Sequence, residues 1–425
     1  MHGDGLPPLP PMSFIIAAPS SGSGKTTITL GLLRALSQRG PIRAAKSGPD
    51  YIDPRFHESA CGQPCLNLDA WAMTPDRIRA LAAGKTPLII EGAMGLFDGA
   101  PPDGKGATAD LARILNLPVV LVIDAGKMAG SVAPLAQGFI RHDPSVQIAG
   151  VILNNVGSPR HEAMLHRALG DITIFGAVPR TPGLTHPSRH LGLVQAQERP
   201  DLEAYLDQAA NLIRETIDLD ALMTLGSTLP PAHGPRLTPP AQRIAIAQDA
   251  AFAFAYPHML NDWRAAGAEL QFFSPLADDP ATEADLIFLP GGYPELHAGR
   301  LAANTTFLNS LRKTTAQIYG ECGGYMVLGE ALTDADGTTH QMAGLLGLHS
   351  SFAQRKLHLG YRSLHTTSGP FTGHWRAHEF HYATTISANG TPLFSATDAE
   401  GTALPAMGLI RDNVCGSFAH LIDAD

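Results

Sequence analysis

The sequence predicts two α/β domains, the first with a parallel sheet and a phosphate-binding loop (P-loop), the second with a cysteine on a strand-to-helix turn. Apolar strands alternate with helical stretches in both halves, as in parallel sheets joined by crossover helices. Five prolines within residues 226–242 disfavour helix and central strand, so this segment is a predicted linker. Each half also carries one glycine-rich motif directly after an apolar strand.

Composition limits the domain number, the partners and the compartment. The 425 residues suit two domains, 13–225 and 243–425, which the linker 226–242 joins and a predicted disordered tail, 1–12, precedes. A net charge of -9 without a basic stripe argues against nucleic acid as a partner. No apolar run is long enough for a membrane helix, so no membrane contact is predicted. Four cysteines without an even framework favour the reducing cytoplasm.

The first domain begins with a strand and a helix. Residues 26–39 form the predicted helix, since apolar residues recur on one face and Gly40 ends it. Those apolar residues are Ile28, Leu32, Leu33 and Leu36. The predicted strands are short apolar runs at 14–18, 88–90, 119–123, 148–153 and 172–175.

Residues 20–27, Ser-Ser-Gly-Ser-Gly-Lys-Thr-Thr, connect that strand to that helix. Backbone N–H groups and a helix N-terminus attract phosphate in this context. Lys25, expected in a solvated loop, adds a charge at the β- and γ-phosphates, and Thr26 offers a hydroxyl to Mg²⁺. Pro19 stands where the first glycine of the usual motif falls. The predicted ATP-binding residues are Ser21, Gly22, Ser23, Gly24, Lys25, Thr26 and Thr27.

Acidic residues follow the predicted strands of the first domain. Glu91 ends the strand 88–90, and Asp50 lies in the loop 48–54. The carboxyl ends of parallel strands meet at the ligand crevice, where carboxylates suit Mg²⁺. The predicted Mg²⁺ ligands are Thr26, Glu91 and Asp50, with a structural cap as the alternative for Glu91. Asn154 and Asn155 either read adenine or form a turn.

The second domain repeats the strand–helix series. Its predicted strands are 243–247, 270–273, 286–289 and 316–319, and its predicted helices are 252–266 and 325–332. Cys322 lies between the last strand and the last helix, on an elbow that Gly320, Gly323 and Gly324 make feasible. A helix N-terminus favours the thiolate, which is the reactive form, although a buried apolar cysteine is the alternative.

A cysteine nucleophile needs a base and an oxyanion site. His420 follows a strand-like run near the C-terminus and is a candidate base among 18 histidines. Backbone N–H groups of Gly292 and Gly323 form a predicted oxyanion hole. ATP chemistry and a cysteine in one chain predict a synthetase. ATP activates a carboxylate, and the cysteine releases ammonia from glutamine to attack it.

With both halves in view, the chain resembles the glutamine-dependent a,c-diamide synthases of corrinoid biosynthesis, which act on cobyrinic or hydrogenobyrinic acid. The likeness runs from residue 14 to residue 422 and rests on the order and spacing of several motifs. These motifs are 20–27, 46–54 (KSGPDYIDP), 91–99 (EGAMGLFDG), 189–193 (RHLGL), 289–296 (LPGGYPEL) and 378–382 (HEFHY).

The resemblance implies a first domain similar to dethiobiotin synthetase and a second similar to class I glutamine amidotransferases. It implies ATP- and Mg²⁺-dependent amidation of the a and c acetate side chains of a corrinoid polycarboxylate, with ammonia from glutamine. Cys322 would be the nucleophile and His420 its base, and Lys25, Thr26 and Glu91 would handle ATP and Mg²⁺. The activated carboxylate would lie among Asp50, Tyr51, Asp53 and Asp98.

Mainstream class I amidotransferases carry a glutamate two residues after the histidine, and Ile422 stands there in this chain. A Cys–His dyad is therefore expected. The alternatives are amidation of another modified tetrapyrrole, such as nickel-sirohydrochlorin, and a regulatory P-loop ATPase with an inactive glutaminase-like module. Residues 416–422 are slightly closer to the cobalt-free members, and a homodimer is the candidate assembly. Candidate basic residues for substrate carboxylates are Arg55, His57, Arg160, Arg180, Arg189 and His190.

Overall fold

The computed structural model describes residues 9–10, 12–184, 188–189, 192–193, 195–226 and 229–425. It divides into two units, Met1–Pro235 and Arg236–Asp425. Most of the predicted tail, residues 1–8 and 11, lies outside the described residues, as do His190 and the side chain of Arg189. Among the described residues, no helix is long and apolar enough to cross a membrane.

The first unit is built on a parallel sheet. Its strands are Phe14–Ala17 (β1), Arg43–Ser47 (β2), Leu66–Leu68 (β3), Leu88–Glu91 (β4), Val119–Asp124 (β5), Ile148–Val156 (β6) and Ile174–Pro179 (β7), with the short pair Ser188–Arg189 (β8) and Gly192–Leu193 (β9). Its helices are Lys25–Ser37 (α1), Asp53–Cys61 (α2), Pro75–Ala82 (α3), Thr108–Leu115 (α4), Val132–His142 (α5), Pro159–Leu169 (α6), Leu202–Thr216 (α7) and Leu219–Met223 (α8).

Strand order places the phosphate loop at the centre of this sheet. Within the described residues, the seven strands run β3-β2-β4-β1-β5-β6-β7, all parallel, so β1 lies between β4 and β5. Apart from Glu91 at the end of β4, the buried residues of β1, β4 and β5 are apolar on both faces, as expected for strands covered by helices on each side. Helix α1 packs closely on α7 because Gly31 has no Cβ; one added there would lie 2.5 Å from Ile213 Cγ1.

The second unit contains parallel and antiparallel strands. They are Arg243–Ala247 (β10), Glu269–Phe273 (β11), Leu286–Leu289 (β12), Gln317–Glu321 (β13), Ala331–Thr333 (β14), Thr339–Gln341 (β15), Gly347–Ser351 (β16), His358–Thr366 (β17), Gly373–His381 (β18), Thr384–Asn389 (β19), Thr391–Thr397 (β20), Ala403–Arg411 (β21), Val414–Ser417 (β22) and Ala419–Ala424 (β23). The helices are Pro257–Ala265 (α9), Ala298–Ala303 (α10), Thr305–Lys313 (α11) and Gly323–Leu328 (α12).

The main sheet of this unit joins two kinds of pairing. Its described order is β11-β10-β12-β13-β22-β21-β20-β17-β18-β23, in which β10 to β13 and β22 are parallel and the later pairs are antiparallel. A smaller sheet has the strand order β15-β14-β16-β19. In the chain, β14 to β16 come between β13 and β17, and β19 comes between β18 and β20. The α/β fold class predicted for both halves is confirmed, whereas the long antiparallel extension was not predicted.

Both helices predicted in the second half are present, but their predicted bounds were wrong. The helix predicted at 252–266 begins only at Pro257, because proline favours the first turn of a helix and residues before it form a bridge between Phe254 and Gly291. The helix predicted at 325–332 runs instead from Gly323 to Leu328, and Ala331–Thr333 then forms a strand that pairs with β15 and β16.

Candidate functional site

The phosphate loop is held open by glycine and by an asparagine from β6. Gly24 precedes α1 with φ +88°, and a Cβ there would lie 2.1 Å from Asn154 Nδ2. The Asn154 amide donates to the Ser23 carbonyl at 2.9 Å, so this side chain supports the loop directly. Gly22 has φ +81°, and the Ser23 hydroxyl donates to the Ser20 carbonyl at 2.9 Å. The loop backbone is therefore fixed before any phosphate arrives.

The P-loop borders a cleft of about 410 Å³ in the first unit. Its lining contains the predicted ATP-binding residues Gly22, Gly24, Lys25, Thr26 and Thr27, together with Asn154 and Asn155 and, further out, Val178, Pro179, Thr181 and Leu184. Ser21 is exposed on the loop. The volume of the cleft and its mixed polar and apolar lining suit a nucleotide.

The prediction that Lys25 lies in a solvated loop was wrong. Lys25 is the first residue of α1 and is buried. Its Nζ donates to the Met94 carbonyl at 2.6 Å, and this hydrogen bond holds the ammonium against the 91–99 motif. Burial lowers the pKa of Lys25, while the charge of Glu91 opposes the shift. An anionic phosphate beside this ammonium would relieve the cost of its burial.

Glu91 is the centre of a buried polar network at the end of β4. Its Oε1 accepts from Thr26 Oγ1 at 2.7 Å and from Lys46 Nζ at 2.9 Å, and its Oε2 lies 2.6 Å from His57 Nε2. Burial alone would raise the pKa of Glu91, but Lys46 and His57 outweigh it and hold the pKa well below its usual range. Glu91 therefore stays ionised although it is 1% exposed.

Lys46 also binds the 50–53 segment. Its Nζ donates to Asp53 Oδ2 at 2.6 Å and lies 3.9 Å from Asp50 Oδ2. Burial and the neighbouring charge of Asp53 raise the pKa of Asp50 to about 6. Three carboxylates, those of Asp50, Asp53 and Glu91, thus lie around Lys46, and carboxylate oxygens are the kind of donor that Mg²⁺ prefers.

Tyr51 and Asp98 belong to the same two sequence motifs as the residues of this cluster. Tyr51 lies between Asp50 and Asp53 and is buried. Asp98 Oδ2 accepts from the Gly95 amide at 3.0 Å, and Met94 in the same turn has φ +51°. Asp98 therefore belongs to the same turn as Met94, whose carbonyl accepts the hydrogen bond from Lys25.

The basic residues predicted to bind substrate carboxylates divide into different environments. His57 is fully buried against Glu91, so the prediction that it binds substrate was wrong. Arg55 pairs with Glu58 at 2.8 Å, whereas Arg160 and Arg180 are exposed. Arg180 donates weakly to the Gly126 carbonyl, at 3.3 Å.

In the second unit, Cys322 occupies a strained elbow. It follows β13 and precedes α12 with φ +47° and ψ -104°, a backbone conformation that is rare outside glycine. Its amide donates to the Ser417 carbonyl at 2.8 Å, so β22 anchors the turn. Cys322 is 4% exposed, and this burial raises the pKa of its thiol, which is opposite to the predicted effect of the helix N-terminus.

The backbone of Gly291 approaches His420 closely, and that of the neighbouring Gly292 approaches Gly323 on the elbow. A Cβ on Gly291 would lie 2.1 Å from His420 Cε1, so the imidazole packs directly on this glycine. A Cβ on Gly323 would lie 3.1 Å from the Gly292 nitrogen, which brings the two predicted oxyanion donors together. Burial lowers the pKa of His420 to about 3, so the imidazole is neutral at physiological pH.

We expect Gly291→Ala to displace the His420 ring and lower glutamine hydrolysis by tenfold or more. The physical reason is the clash with the imidazole, since overpacking in a filled site costs about 1–3 kcal/mol. Steady-state glutaminase assays measure the effect. The control is Gly299→Ala in α10, where the nearest atom is 3.4 Å away. Equal activity in the two variants would contradict this packing role for Gly291.

Strand β18 carries the motif 378–382 and lies against the strand of His420. His378 pairs in register with His420, and burial lowers the pKa of His378 to about 3. Glu379 forms an ion pair with Arg362 at 2.7 Å and lies 3.0 Å from His381 Nε2. These contacts place the motif beside the glutaminase residues, which its position in the sequence did not reveal.

Two residues of these networks had no predicted role. In the sequence, Lys46 is the first residue of the 46–54 motif, and no role was predicted for it. Its position near the C-terminal end of β2 could have indicated that it lies at the site. Glu321 precedes Cys322, and its Oε2 lies 3.6 Å from His420 Nδ1, a contact that the sequence alone does not indicate.

Comparison with known proteins places both units among known families. Residues 243–425 match the CobB/CobQ-like glutamine amidotransferase domain, and residues 66–188 match an AAA domain. The chain is 54% identical to hydrogenobyrinate a,c-diamide synthase of Brucella anthropi, over 96% of this chain and 98% of that protein. It is 52% identical to the Rhizobium meliloti protein of that name (96% and 99%) and 51% to that of Rhodobacter capsulatus (97% and 99%).

Proposed function

Since this chain belongs to the hydrogenobyrinate a,c-diamide synthase family, we propose that it converts the a and c acetate carboxylates of hydrogenobyrinic acid into amides. It is a glutamine-dependent amidotransferase ligase of cobalamin biosynthesis with an ATP-using domain. One observation carries the proposal: a phosphate cleft with Lys25, and an elbow cysteine whose preceding residue contacts a buried histidine, occur in one chain that aligns with these enzymes over 96% of its length.

In the ATP half, Lys25 neutralises the β- and γ-phosphates, and loop N–H groups from Ser21 to Thr27 bind their oxygens. The hydroxyl of Thr26 and the carboxylate of Asp50 would hold Mg²⁺, with Glu91 fixing Thr26 through its hydrogen bond. The three carboxylates around Lys46, and the raised pKa of Asp50, favour a divalent cation here. Mg²⁺ would supply charge neutralisation at the phosphates.

The acceptor carboxylate of the corrinoid binds near Asp50, Tyr51, Asp53 and Asp98 in this proposal. One carboxylate oxygen attacks the γ-phosphorus and displaces ADP, giving an acyl phosphate. Ammonia then attacks the acyl carbon, phosphate leaves, and the amide forms after loss of a proton. The same sequence repeats at the second acetate.

In the glutamine half, Cys322 attacks the side-chain amide of glutamine while His420 accepts the thiol proton. The N–H groups of Gly292 and Gly323 stabilise the oxyanion of the tetrahedral intermediate. Ammonia leaves with the proton from His420, and water then hydrolyses the thioester to glutamate. All of these groups belong to the second unit.

The product nucleotide tests this proposal directly. With ATP, Mg²⁺, glutamine and hydrogenobyrinic acid, we expect the mass change of two amidations and one ADP for each amide, since a P-loop presents the γ-phosphoryl group for transfer. Mass spectrometry and nucleotide chromatography give both readouts, and cobyrinic acid serves as the comparison substrate. AMP with pyrophosphate would refute the acyl phosphate, and an unchanged corrinoid would refute the assignment.

The family membership favours this reaction over the alternatives drawn from the sequence. Amidation of nickel-sirohydrochlorin, or a regulatory ATPase with an inactive glutaminase, would not require this chain to align along 96% of its length with hydrogenobyrinate a,c-diamide synthases. The four cysteines are free and buried, which agrees with a reducing cytoplasm. We propose a homodimer as the assembly, on the family resemblance alone.

A further inference from the structure

Glu321 connects the two glutaminase residues in the second unit. It is the last residue of β13, so Cys322 follows it directly, and its Oε2 lies 3.6 Å from His420 Nδ1. The side chains of Glu321 and His420 are 3% and 1% exposed, so water does not screen the contact. Its other oxygen, Oε1, accepts from the Leu421 amide at 3.1 Å. The carboxyl group is therefore fixed to the residue that follows His420.

We propose that Glu321 is the positioning residue of the glutaminase: its carboxylate accepts the Nδ1 proton of His420 and so directs the free Nε2 lone pair toward the thiol of Cys322. This inference rests on the proposed Cys322–His420 site. It assigns the role of the orienting acid to the residue before the nucleophile, in a chain where Ile422 occupies the usual position of that acid.

The tautomer of His420 decides whether it can act as a base. A neutral imidazole carries one proton, and the group that faces Nδ1 sets which nitrogen holds it. An ionised carboxylate only accepts, so it favours the Nδ1–H form that catalysis needs. The present separation exceeds hydrogen-bond length, and such contacts shorten when substrate closes a site.

The proton balance of the step follows from this arrangement. The Cys322 thiol gives its proton to His420 Nε2, and the thiolate sulfur bonds to the amide carbon of glutamine. The imidazolium so formed is stabilised by the Glu321 carboxylate. It then returns that proton to the nitrogen of the breaking C–N bond, and ammonia departs. No oxidant or further reactant is required before water hydrolyses the thioester.

Ionisation of Glu321 should control the pH dependence of glutamine hydrolysis. Burial raises the pKa of Glu321 to about 8, so the accepting form increases as the pH rises through that value. Other titratable groups face this pair: Tyr319 and Cys322 near Glu321, and His378, Glu379 and His381 of β18 near His420. A variant at position 321 is therefore needed to assign the ionisation.

We expect Glu321→Gln to reduce kcat for glutamine hydrolysis on the order of 100-fold, with little change in KM for glutamine and without the rise near pH 8. The reason is geometric: the Leu421 amide takes the only carbonyl oxygen of the glutamine side chain, so its NH₂ group faces Nδ1 and favours the inactive tautomer. The matched control is Glu330→Gln, at an exposed position two residues after α12.

Two results would overturn the inference. One is a folded Glu321→Gln protein with kcat within about twofold of the parent. The other needs no variant at 321: ¹⁵N spectra of histidine-labelled wild-type protein, assigned with His420→Asn, should show Nδ1 protonated at pH 9, and Nε2 protonation there contradicts the proposal. If Cys322→Ala still hydrolyses glutamine, the proposed function fails instead, so the two failures are distinguishable.

Discussion

Cys322→Ala is expected to abolish glutamine-driven amidation and to retain amidation from ammonium. The loss should be on the order of 10³-fold or more, because the protein then lacks the nucleophile that releases ammonia. Synthesis from free NH₃ should persist because the nucleotide cleft and the 50–53 segment belong to the other unit. The measurement compares the two nitrogen sources at alkaline pH, where free NH₃ is abundant.

Cys415→Ala is the matched control for this experiment. Cys415 is a buried thiol on β22 of the same unit, and burial raises its pKa to about 12, so it matches Cys322 in environment but is not on the elbow. We expect the Cys415→Ala protein to keep glutamine-driven activity. If ammonium-driven turnover disappears in Cys322→Ala although ATP and corrinoid still bind, then Cys322 has a part in the synthetase step and the two-site account is wrong.

Lys25→Ala should show the opposite pattern, with no synthesis from glutamine or from ammonium. Removing the charge at the β- and γ-phosphates should lower the rate on the order of 10²- to 10³-fold, the size of effect that removal of one electrostatic stabiliser produces. ADP release and corrinoid amidation are measured together with each nitrogen source. The rate of amidation with ammonium therefore distinguishes Lys25→Ala from Cys322→Ala.

Because Lys25 is buried, the experiment needs a check of folding. Thermal unfolding of Lys25→Ala, compared with Lys85→Ala at an exposed position of the same unit, provides it. A Lys25→Ala protein that is as stable as the control and still forms ADP at the parental rate would show that this ammonium is dispensable for phosphoryl transfer.

Much of the parallel architecture could be predicted because its strands are continuous apolar runs. Strands buried on both faces, such as β1 and β5, are visible in a sequence without any tertiary information. The phosphate loop could also be predicted, since its glycines and Lys25 are neighbours in the chain. The long strands β17 and β18 escaped prediction because their residues tend to alternate in burial and contain many polar side chains.

The polar networks could be predicted only in part. Thr26 and Glu91 were assigned to one Mg²⁺ site, and their side chains are 2.7 Å apart. The contacts of Lys46 and Glu321 could not be foreseen, because each depends on which strands become neighbours in the sheet. His57 was misjudged for a related reason: a histidine in a polar motif gives no sign that its ring will be completely buried.

The depth of Cys322 also bears on the life of the enzyme between turnovers. Oxidation to sulfenic acid requires an accessible thiolate, whereas Cys322 is 4% exposed and burial raises the pKa of its thiol. Peroxide should therefore modify the resting protein slowly. The same protonated state also slows attack of this thiol on other electrophiles. Burial of Cys322 thus protects the thiol from oxidation and lowers its reactivity in the absence of glutamine. His420 must then deprotonate the thiol each time glutamine binds.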